Sequence, residues 1–335
     1  MIKSRNTLIG LLLAVVAVLV PLLDPGRYML VQLSLFFTWA MVVTQWNLVF
    51  GVAGIFSLAQ MAVFAVGAYS AAMLGLYLGM NFWLASLAGG LLAVLFSLVV
   101  GLATLRLKGP YVALLTLSVS LVLYQLIVTD THCFFYEGNT CYTFTGGTRA
   151  IGKFGDFGFR EAFGYSHELI AGYYLGLILL ICGTVFAFAV MRSPLGGAFR
   201  ALRDNEAYAI SRGINRTKYQ LLVFAVSAFF TGLAGAFYAG TFKVVGPNVL
   251  NLSLMLFLIS MLVVGGLGRP WGPLVGSALL MAADESLSSV PEWRMIGLGI
   301  LTVVFVIVLP NGLTGAWDVA LQKLRKARTH NGVST

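Results

Sequence analysis

Charged residues are scarce in this 335-residue sequence: Asp, Glu, Lys and Arg together make up 10% of it, whereas an average soluble domain contains about 25%. Apolar residues make up 59%. A soluble protein with so few polar side chains could not cover its apolar surface. The composition therefore excludes an ordinary soluble enzyme and a disordered chain, and it indicates a polytopic membrane protein.

Histidine and cysteine are also scarce, with three residues of each. No H-E-x-x-H or C-x-x-C spacing occurs, so we expect no metal site. Residues 147–153 match the nucleotide-binding pattern G-x-x-x-x-G-K, but Phe154 replaces the Ser or Thr that would bind Mg²⁺, and we treat the match as chance. We therefore predict no catalytic residue, no metal site and no cofactor in this chain.

Ten apolar stretches have the length of a membrane-crossing helix, which needs about 20 mainly apolar residues. They are residues 7–23, 28–50, 58–79, 82–105, 111–129, 169–191, 219–242, 252–268, 272–288 and 293–310. The first follows Lys3 and Arg5, so it is either a retained helix or a signal peptide, and the lack of a small-x-small cleavage site favours a retained helix. The predicted fold is an all-α transmembrane domain of about ten helices (residues 1–318), followed by a basic cytoplasmic tail (319–335).

Basic residues are distributed unevenly between the two sets of loops. With ten spans both termini lie on one side, and 15 of the 21 Lys and Arg residues fall on that side. Nine of the 12 acidic residues fall on the other side. Because cytoplasmic loops are enriched in Lys and Arg, we predict cytoplasmic termini, a cytoplasmic loop at 192–218 and an outer loop at 130–168, in the cell (inner) membrane.

The outer loop contains Cys133 and Cys141, with seven residues between them. An oxidising compartment would permit a disulfide between them, and two free thiols are the alternative. Cys182 lies within a span and is expected to be a small packing residue.

The cytoplasmic loop reads as a short amphipathic helix, from Ala198 to Arg212, between glycine breaks. Its polar face would consist of Arg203, Asp204, Asn205 and Glu206. The alternative is a solvated loop whose positive charge anchors the chain, and the residue pattern alone does not decide between the two.

Two glycine-rich breaks, residues 51–57 and 265–272, interrupt apolar stretches. Glycine at membrane depth lets backbones approach closely or lets a helix unwind. Spans 2–5 start from outside and spans 7–10 from inside, and each block contains one break. This opposite topology predicts an inverted repeat.

No Lys, His or carboxylate is predicted near the middle of a span, which counts against proton-driven transport. Asp284 and Glu285 lie near the outer end of span 9 and are interpreted as a hydrated helix end. A solute path would then be lined by neutral polar groups. The candidates for that path are Asn47, Ser57, Gln60, Thr116 and Ser120, with Thr44, Gln45, Ser118, Tyr124 and Gln125 as further polar positions.

Five segments carry a resemblance to a known family. They are Asn47–Leu58, Leu105–Tyr111, Thr145–Gly147, Ser193–Glu206 continuing to Gly213–Asn215, and Gly265–Gly272 followed by Leu309–Leu313. In this order and with these loop positions, the chain resembles the permease subunits of ABC importers for branched-chain amino acids, the LivM type, which includes urea-importer permeases. The chain departs from the family pattern at Ile55, Ala59 and Gln60, which leaves the solute in doubt.

The resemblance implies a fold like that of the type II, vitamin-B12-type ABC importers. It implies a LivH-like second permease subunit, two cytoplasmic ATPase subunits that use ATP and Mg²⁺, and an extracytoplasmic solute-binding protein. Arg203, Asp204, Asn205 and Glu206 through Gly213 would form the coupling helix that docks on an ATPase subunit. The chain would be a transport subunit rather than an enzyme, working by alternating access, and it would not bind nucleic acid. Urea, short amides and organic acids are the alternative solutes, and a stand-alone secondary transporter is the alternative function.

Overall fold

The computed structural model describes residues 10, 15–23, 26–107, 109–137, 140–288, 291–309 and 312–316. Apolar helices dominate this part of the chain. The helices are α1 (Arg27–Asn47), α2 (Gln60–Leu78), α3 (Phe82–Thr104), α4 (Pro110–Val128), α5 (Phe159–Arg192), α6 (Pro194–Asp204), α7 (Glu206–Ser211), α8 (Arg216–Phe242), α9 (Leu252–Gly265), α10 (Gly272–Ser286) and α11 (Pro291–Val308). The short strands are β1 (Cys133–Glu137), β2 (Thr140–Thr143), β3 (Ile151–Gly152) and β4 (Val244–Val245).

Helix ends follow local sequence signals. Proline occupies the first turn of α4, α6 and α10, where its missing N–H removes no helical hydrogen bond. Asparagine side chains accept backbone hydrogen bonds at the starts of α3, α7, α8 and α9, as N-caps do. Gly79 ends α2 in the left-handed conformation. These caps satisfy backbone groups that a membrane interface would otherwise leave unpaired.

Predicted spans 2–7 are confirmed as helices. Among the described residues, six helices are long and apolar enough to cross a membrane: Arg27–Val52, Gln60–Leu78, Phe82–Thr104, Pro110–Val128, His167–Arg192 and Arg216–Phe242. The first of these is α1 extended by a π-helical turn, Leu48–Val52. The chain is therefore a multi-pass membrane protein.

Spans 8 and 9 are shorter than predicted. Helix α9 has 14 residues, because the chain leaves the helical conformation at Gly266 (φ 114°). Helix α10 begins at Gly272, as predicted, and has 15 residues because it ends at Ser286. The last span corresponds to α11, which includes the apolar helical stretch Ile296–Phe305. Of the first predicted span, residues 10 and 15–23 are described, and residues 15–19 are helical, whereas the basic tail lies outside the described residues.

The core of the bundle lies between α1, α2, α5 and α8. Helix α1 is the most deeply buried of the six long helices, and α4 is the least buried. Glycines let α2 and α8 approach closely: a methyl group on Gly67 would lie 2.4 Å from the Gly232 Cα, and one on Gly235 would lie 2.2 Å from the Phe64 oxygen. Small residues thus bring these helices together, as is usual within a membrane.

The strands lie together at one end of the bundle. β1 pairs with β2, and β3 pairs with β4 through Ile151 and Val245, both antiparallel. Helices α6 and α7 lie at the opposite end, where α6 contacts the π-helical turn that ends α1. We call the strand-bearing end the outer end and the other the inner end, as the charge distribution predicts.

Candidate functional site

The loop at 192–218 folds into two helices rather than the single helix predicted from Ala198 to Arg212. Helix α6 ends at Asp204 because Asn205 adopts an extended backbone (φ −154°, ψ 97°). The Asn205 side chain then accepts a 3.0 Å hydrogen bond from the Tyr208 N–H and caps α7. Asn205, which the sequence predicted on the polar face of one helix, therefore separates α6 from α7.

The other predicted residues of this loop take distinct positions. Asp204 is exposed and pairs with its neighbour Arg203 at 2.9 Å. Glu206 pairs with Arg216 at 2.9 Å, which joins α7 to the start of α8. Gly213 has φ 85° and ends α7 in a left-handed turn, and its N–H donates to the Ile210 oxygen. Asp204 thus remains exposed at the inner surface, whereas Glu206 is held by Arg216. Asn205 and Gly213 shape the turns.

The two glycine-rich breaks contact each other at the inner end. The Gly268 N–H donates to Asn47 Oδ1 at 2.8 Å, and Asn47 Nδ2 donates to the Arg269 oxygen at 2.9 Å. A methyl group on Gly51 would lie 2.3 Å from the Gly268 nitrogen, so only glycine permits this approach. We call Asn47, Gly51, Gly54 and Gly268, together with Arg203, the glycine junction.

Arg203 connects α6 to the glycine junction. Its Nη1 donates to the Gly51 carbonyl oxygen at 2.8 Å. Its aliphatic stem lies over Gly54, where an added methyl group would come within 2.3 Å of the Arg203 Cγ. Gly54 also has φ 71°, a conformation that other residues rarely adopt. A displacement of α6 would therefore act directly on the backbone of the first break.

The chain after α11 also reaches the second break. The Thr314 hydroxyl donates to the Gly265 oxygen at 2.7 Å, and Arg269 Nη1 donates to the Thr314 oxygen at 3.0 Å. Neither Arg269 nor Thr314 is among the site residues predicted from the sequence. Their only signal was the position of Arg269 as a lone cation within a glycine-rich break.

The two breaks do not occupy equivalent positions of an inverted repeat. Both lie at the inner end, whereas an inversion would place equivalent breaks at opposite ends of the bundle. The connection of the second block that matches residues 51–57 is 243–251, at the outer end. The inverted repeat stays a prediction that depends only on the opposite topology of the two blocks.

Three of the predicted path residues surround the non-helical segment between α1 and α2. The Leu58 N–H donates to Thr116 Oγ1 at 2.9 Å, and Ser120 Oγ donates to the Leu58 oxygen at 3.2 Å. The Ser57 oxygen accepts a 2.8 Å hydrogen bond from the Trp46 indole, and Ser57 Oγ accepts one from the Ala59 N–H. These contacts satisfy backbone that the break leaves without helical partners, as burial within a membrane requires.

Gln60 and Asn47 are likewise buried and hydrogen-bonded. Gln60 Nε2 donates to Thr231 Oγ1 at 2.5 Å, which links α2 to α8. All five residues predicted to line the path are at most 5% exposed. Their contacts give them structural roles within this chain, and their part in a solute path stays a prediction. Of the further polar positions, Ser118, Tyr124 and Gln125 are exposed on α4.

An ion-paired lysine joins three segments at the outer end. Lys243 Nζ lies 2.6 Å from Asp156 Oδ2 and 2.5 Å from Glu168 Oε1. Partial burial opposes ionisation of Asp156, but the hydrogen bond and charge of Lys243 outweigh it and lower the pKa of that carboxyl below its ordinary value. The two carboxylates likewise outweigh burial of the ammonium and raise the pKa of Lys243. The outer loop, the start of α5 and the end of α8 are thereby linked.

Cys133 is disulfide-bonded, and Cys182 is a free thiol. The Cys141 side chain lies outside the described part of the structure, so the pairing of Cys133 with Cys141 stays a prediction. Cys182 is exposed on the bundle surface rather than packed inside. Within the described residues, no group of three or more His, Cys, Asp or Glu side chains could hold a metal ion.

Comparison with known proteins gives a match over most of the chain. The family model described as "Branched-chain amino acid transport system / permease component" matches residues 28–309. No solved structure matches the chain significantly.

Several curated proteins are also similar. The permease LivM of a high-affinity branched-chain amino acid transport system from Salmonella typhimurium is 29% identical over 80% of this chain and 65% of its own length. The corresponding LivH from Escherichia coli is 24% identical over 84% of this chain and 92% of its own. The ribose import permease RbsC from Haemophilus influenzae is 32% identical over 43% of this chain and 48% of its own. The chain thus spans just under two thirds of the LivM length.

Proposed function

The chain belongs to the family of branched-chain amino acid transport permease components, and we propose that it is a membrane-spanning permease subunit of an ATP-driven importer. Its partners would be a LivH-like second permease subunit, two ATPase subunits at the inner end and a solute-binding protein at the outer end. The solute would be a branched-chain amino acid, the solute of the transport systems to which the similar permeases LivM and LivH belong. ATP hydrolysis would belong to the ATPase subunits.

One observation carries the proposal: Arg203 of α6 donates a hydrogen bond to the Gly51 carbonyl oxygen, which belongs to the first glycine-rich break. A docked ATPase subunit that moved α6 would pull on the Gly51 carbonyl. Because Gly51 contacts Gly268, the second break would move with the first. A ligand can shift a two-state equilibrium only through differential contacts, and the glycine junction supplies such a contact between the ATPase surface and the membrane helices.

Binding of the ATPase subunits to the permease and transmission of their movement to the membrane helices are separate steps, and each can be tested by itself. We expect Arg203→Ala to keep the ATPase subunits bound but to abolish the stimulation of ATP hydrolysis by the leucine-loaded binding protein. We expect Arg212→Ala, an exposed arginine on the same segment whose side chain contacts Tyr208, to retain stimulation. Both variants would be assembled with the cognate partners in nanodiscs.

The outcomes are distinct. Failure of the unaltered chain to co-purify with ATPase subunits would overturn the proposed function. Leucine flux into liposomes that contain this chain alone would favour a stand-alone transporter instead. Normal stimulation in Arg203→Ala would leave the permease function intact and reject the transmission route through Gly51.

A further inference from the structure

A cavity of about 530 Å³ opens at the outer end, away from the glycine junction. Its walls are Leu76 of α2, Asp130 and Thr131 after α4, Thr143 of β2 and the loop 146–152. The volume falls within the range of about 300–1,000 Å³ that is usual for small-molecule sites. The loop includes most of the G-x-x-x-x-G-K match, which therefore forms a wall of this cavity.

The loop that forms the wall is held in a fixed conformation. Gly146 and Gly147 both have positive φ, and a methyl group on Gly147 would lie 2.5 Å from the Asp130 carbonyl oxygen. Ala150 also has φ 67°, which is costly for a residue with a side chain and marks strain often found at functional sites. Pairing of β3 with β4 fixes the far end of the loop.

Asp130 provides a positioned negative charge. Its Oδ2 accepts hydrogen bonds from the Thr145 N–H at 2.5 Å and from the Thr145 hydroxyl at 2.6 Å. Its other oxygen, Oδ1, accepts no hydrogen bond from any described residue. The carboxylate is thus held by one oxygen and keeps the other for a ligand.

Arg149 provides the opposite charge on the same cavity. In the part of the chain that the structure describes, its guanidinium has neither an ion-pair nor a hydrogen-bond partner. Guanidinium groups bind carboxylates with two parallel hydrogen bonds. The hydroxyls of Thr131, Thr143 and Thr148 add neutral polar groups, and Leu76 and Ile151 add apolar surface.

We infer that this cavity binds a small zwitterion, an α-amino acid with an apolar side chain, as a receiving site at the outer end. The ammonium group pairs with Asp130 Oδ1, and the carboxylate pairs with Arg149. The inference depends on the proposed function for the solute class. It adds a site on this chain that is distinct from the buried polar residues around the first break.

The test uses the full-length chain in nanodiscs and measures the dissociation constants of three ligands. L-leucine has both charged groups, 3-methylbutylamine lacks the carboxylate, and 4-methylpentanoate lacks the amine. We expect leucine to bind at least tenfold more tightly than either analogue, since each lost contact removes a charge-assisted hydrogen-bonded pair.

Two variants identify the partner of each charge. In Arg149→Gln, leucine should bind about tenfold more weakly and no better than 3-methylbutylamine. In Asp130→Asn, which keeps an acceptor for Thr145, leucine should bind no better than 4-methylpentanoate. Arg160→Gln removes an outer-end arginine that stacks on Tyr165 outside the cavity, and it should bind all three ligands as the unaltered chain does.

The site would be rejected if the unaltered chain binds leucine no more tightly than its analogues, or if Arg149→Gln matches Arg160→Gln. The thermal midpoint of each variant checks that it is folded, and Arg149 is exposed enough for its loss to be tolerated. Co-purification with the ATPase subunits is measured in parallel. If the unaltered chain does not bind leucine but still co-purifies with the ATPase subunits, the receiving site alone is rejected. If the unaltered chain does not co-purify with them, the permease proposal is rejected.

Discussion

Gly51 illustrates how tightly single residues are constrained at the glycine junction. A methyl group there would lie 2.1 Å from Asn47 Oδ1 and 2.3 Å from the Gly268 nitrogen. Both atoms belong to the hydrogen-bonded contact between the two breaks, so neither can move without breaking it. Gly197 in α6, by contrast, has open space where a methyl group would go.

We expect Gly51→Ala to lower the free energy of unfolding by about 1–3 kcal/mol, the range of overpacking in a closely packed core. Gly197→Ala should leave stability unchanged or raise it by up to about 1 kcal/mol, because alanine favours the helix. Thermal denaturation of both variants in the same detergent measures the difference. Equal midpoints would contradict the close packing of the breaks.

Lys243 makes a stability contribution whose pH dependence follows from its partners. The lowered pKa of Asp156 means that its contribution is present above the ordinary value of 3.8 and is lost as the pH falls through the lower folded value. The raised pKa of Lys243 means that its contribution is present below 10.5 and is lost as the pH rises through the higher folded value. The contribution is therefore constant around neutral pH.

We expect Lys243→Met to lower the unfolding free energy by about 1 kcal/mol or less, because the ammonium is partly exposed and screened by solvent. The loss should be the same from about pH 5 to pH 9 and should shrink in strong acid as Asp156 is protonated. Thermal midpoints across this range test it. A loss that changes steadily between pH 5 and pH 9 would show that another group titrates with the pair.

At the scale of elements, α6 and α7 form an inner surface on which only some charges are free. Glu206 is paired with Arg216 of α8. Glu206→Lys would therefore place two cations together. Asp204 is the better probe because its side chain is 66% exposed and pairs only with its neighbour among the described residues.

We expect Asp204→Asn, which removes this exposed charge without placing a second cation beside Arg203, to reduce co-purification of the ATPase subunits without changing the thermal midpoint. Glu206→Gln, which removes the pair with Arg216 without adding a like charge, should lower stability by at most about 1 kcal/mol. Purified amounts of partner subunit per permease measure docking. Unchanged docking in Asp204→Asn would exclude this face as the contact surface.

At the scale of the whole molecule, the two ends of the bundle should face different compartments. We expect Thr148→Cys, at the outer end, to react with a membrane-impermeant maleimide in intact cells. Gly197→Cys, at the inner end, should react only after permeabilisation. Both are made on a Cys182→Ala background, because Cys182 is a free thiol. The reverse pattern would contradict the orientation predicted from the basic residues.

Six of the predicted spans, the membrane class and the family were accessible from the sequence. They depend on properties that add along the chain: apolar residues in runs of the right length and motifs in a fixed order. Helix lengths after residue 250 were less predictable, because α9 stops at Gly266 for reasons of backbone conformation. The apolar character of residues 252–268 does not indicate that the helix ends at Gly265.

The sequence by itself determined that this protein lies in a membrane and where its six long apolar helices lie, because the cost of burying peptide groups in lipid applies to each segment separately. Only the tertiary structure decided that two glycine breaks more than 200 residues apart meet, that Arg203 turns toward one of them, and that Asp130 and Arg149 share a cavity. Those contacts depend on which helices pack together, and close packing is a property of pairs of surfaces that no single stretch of sequence contains.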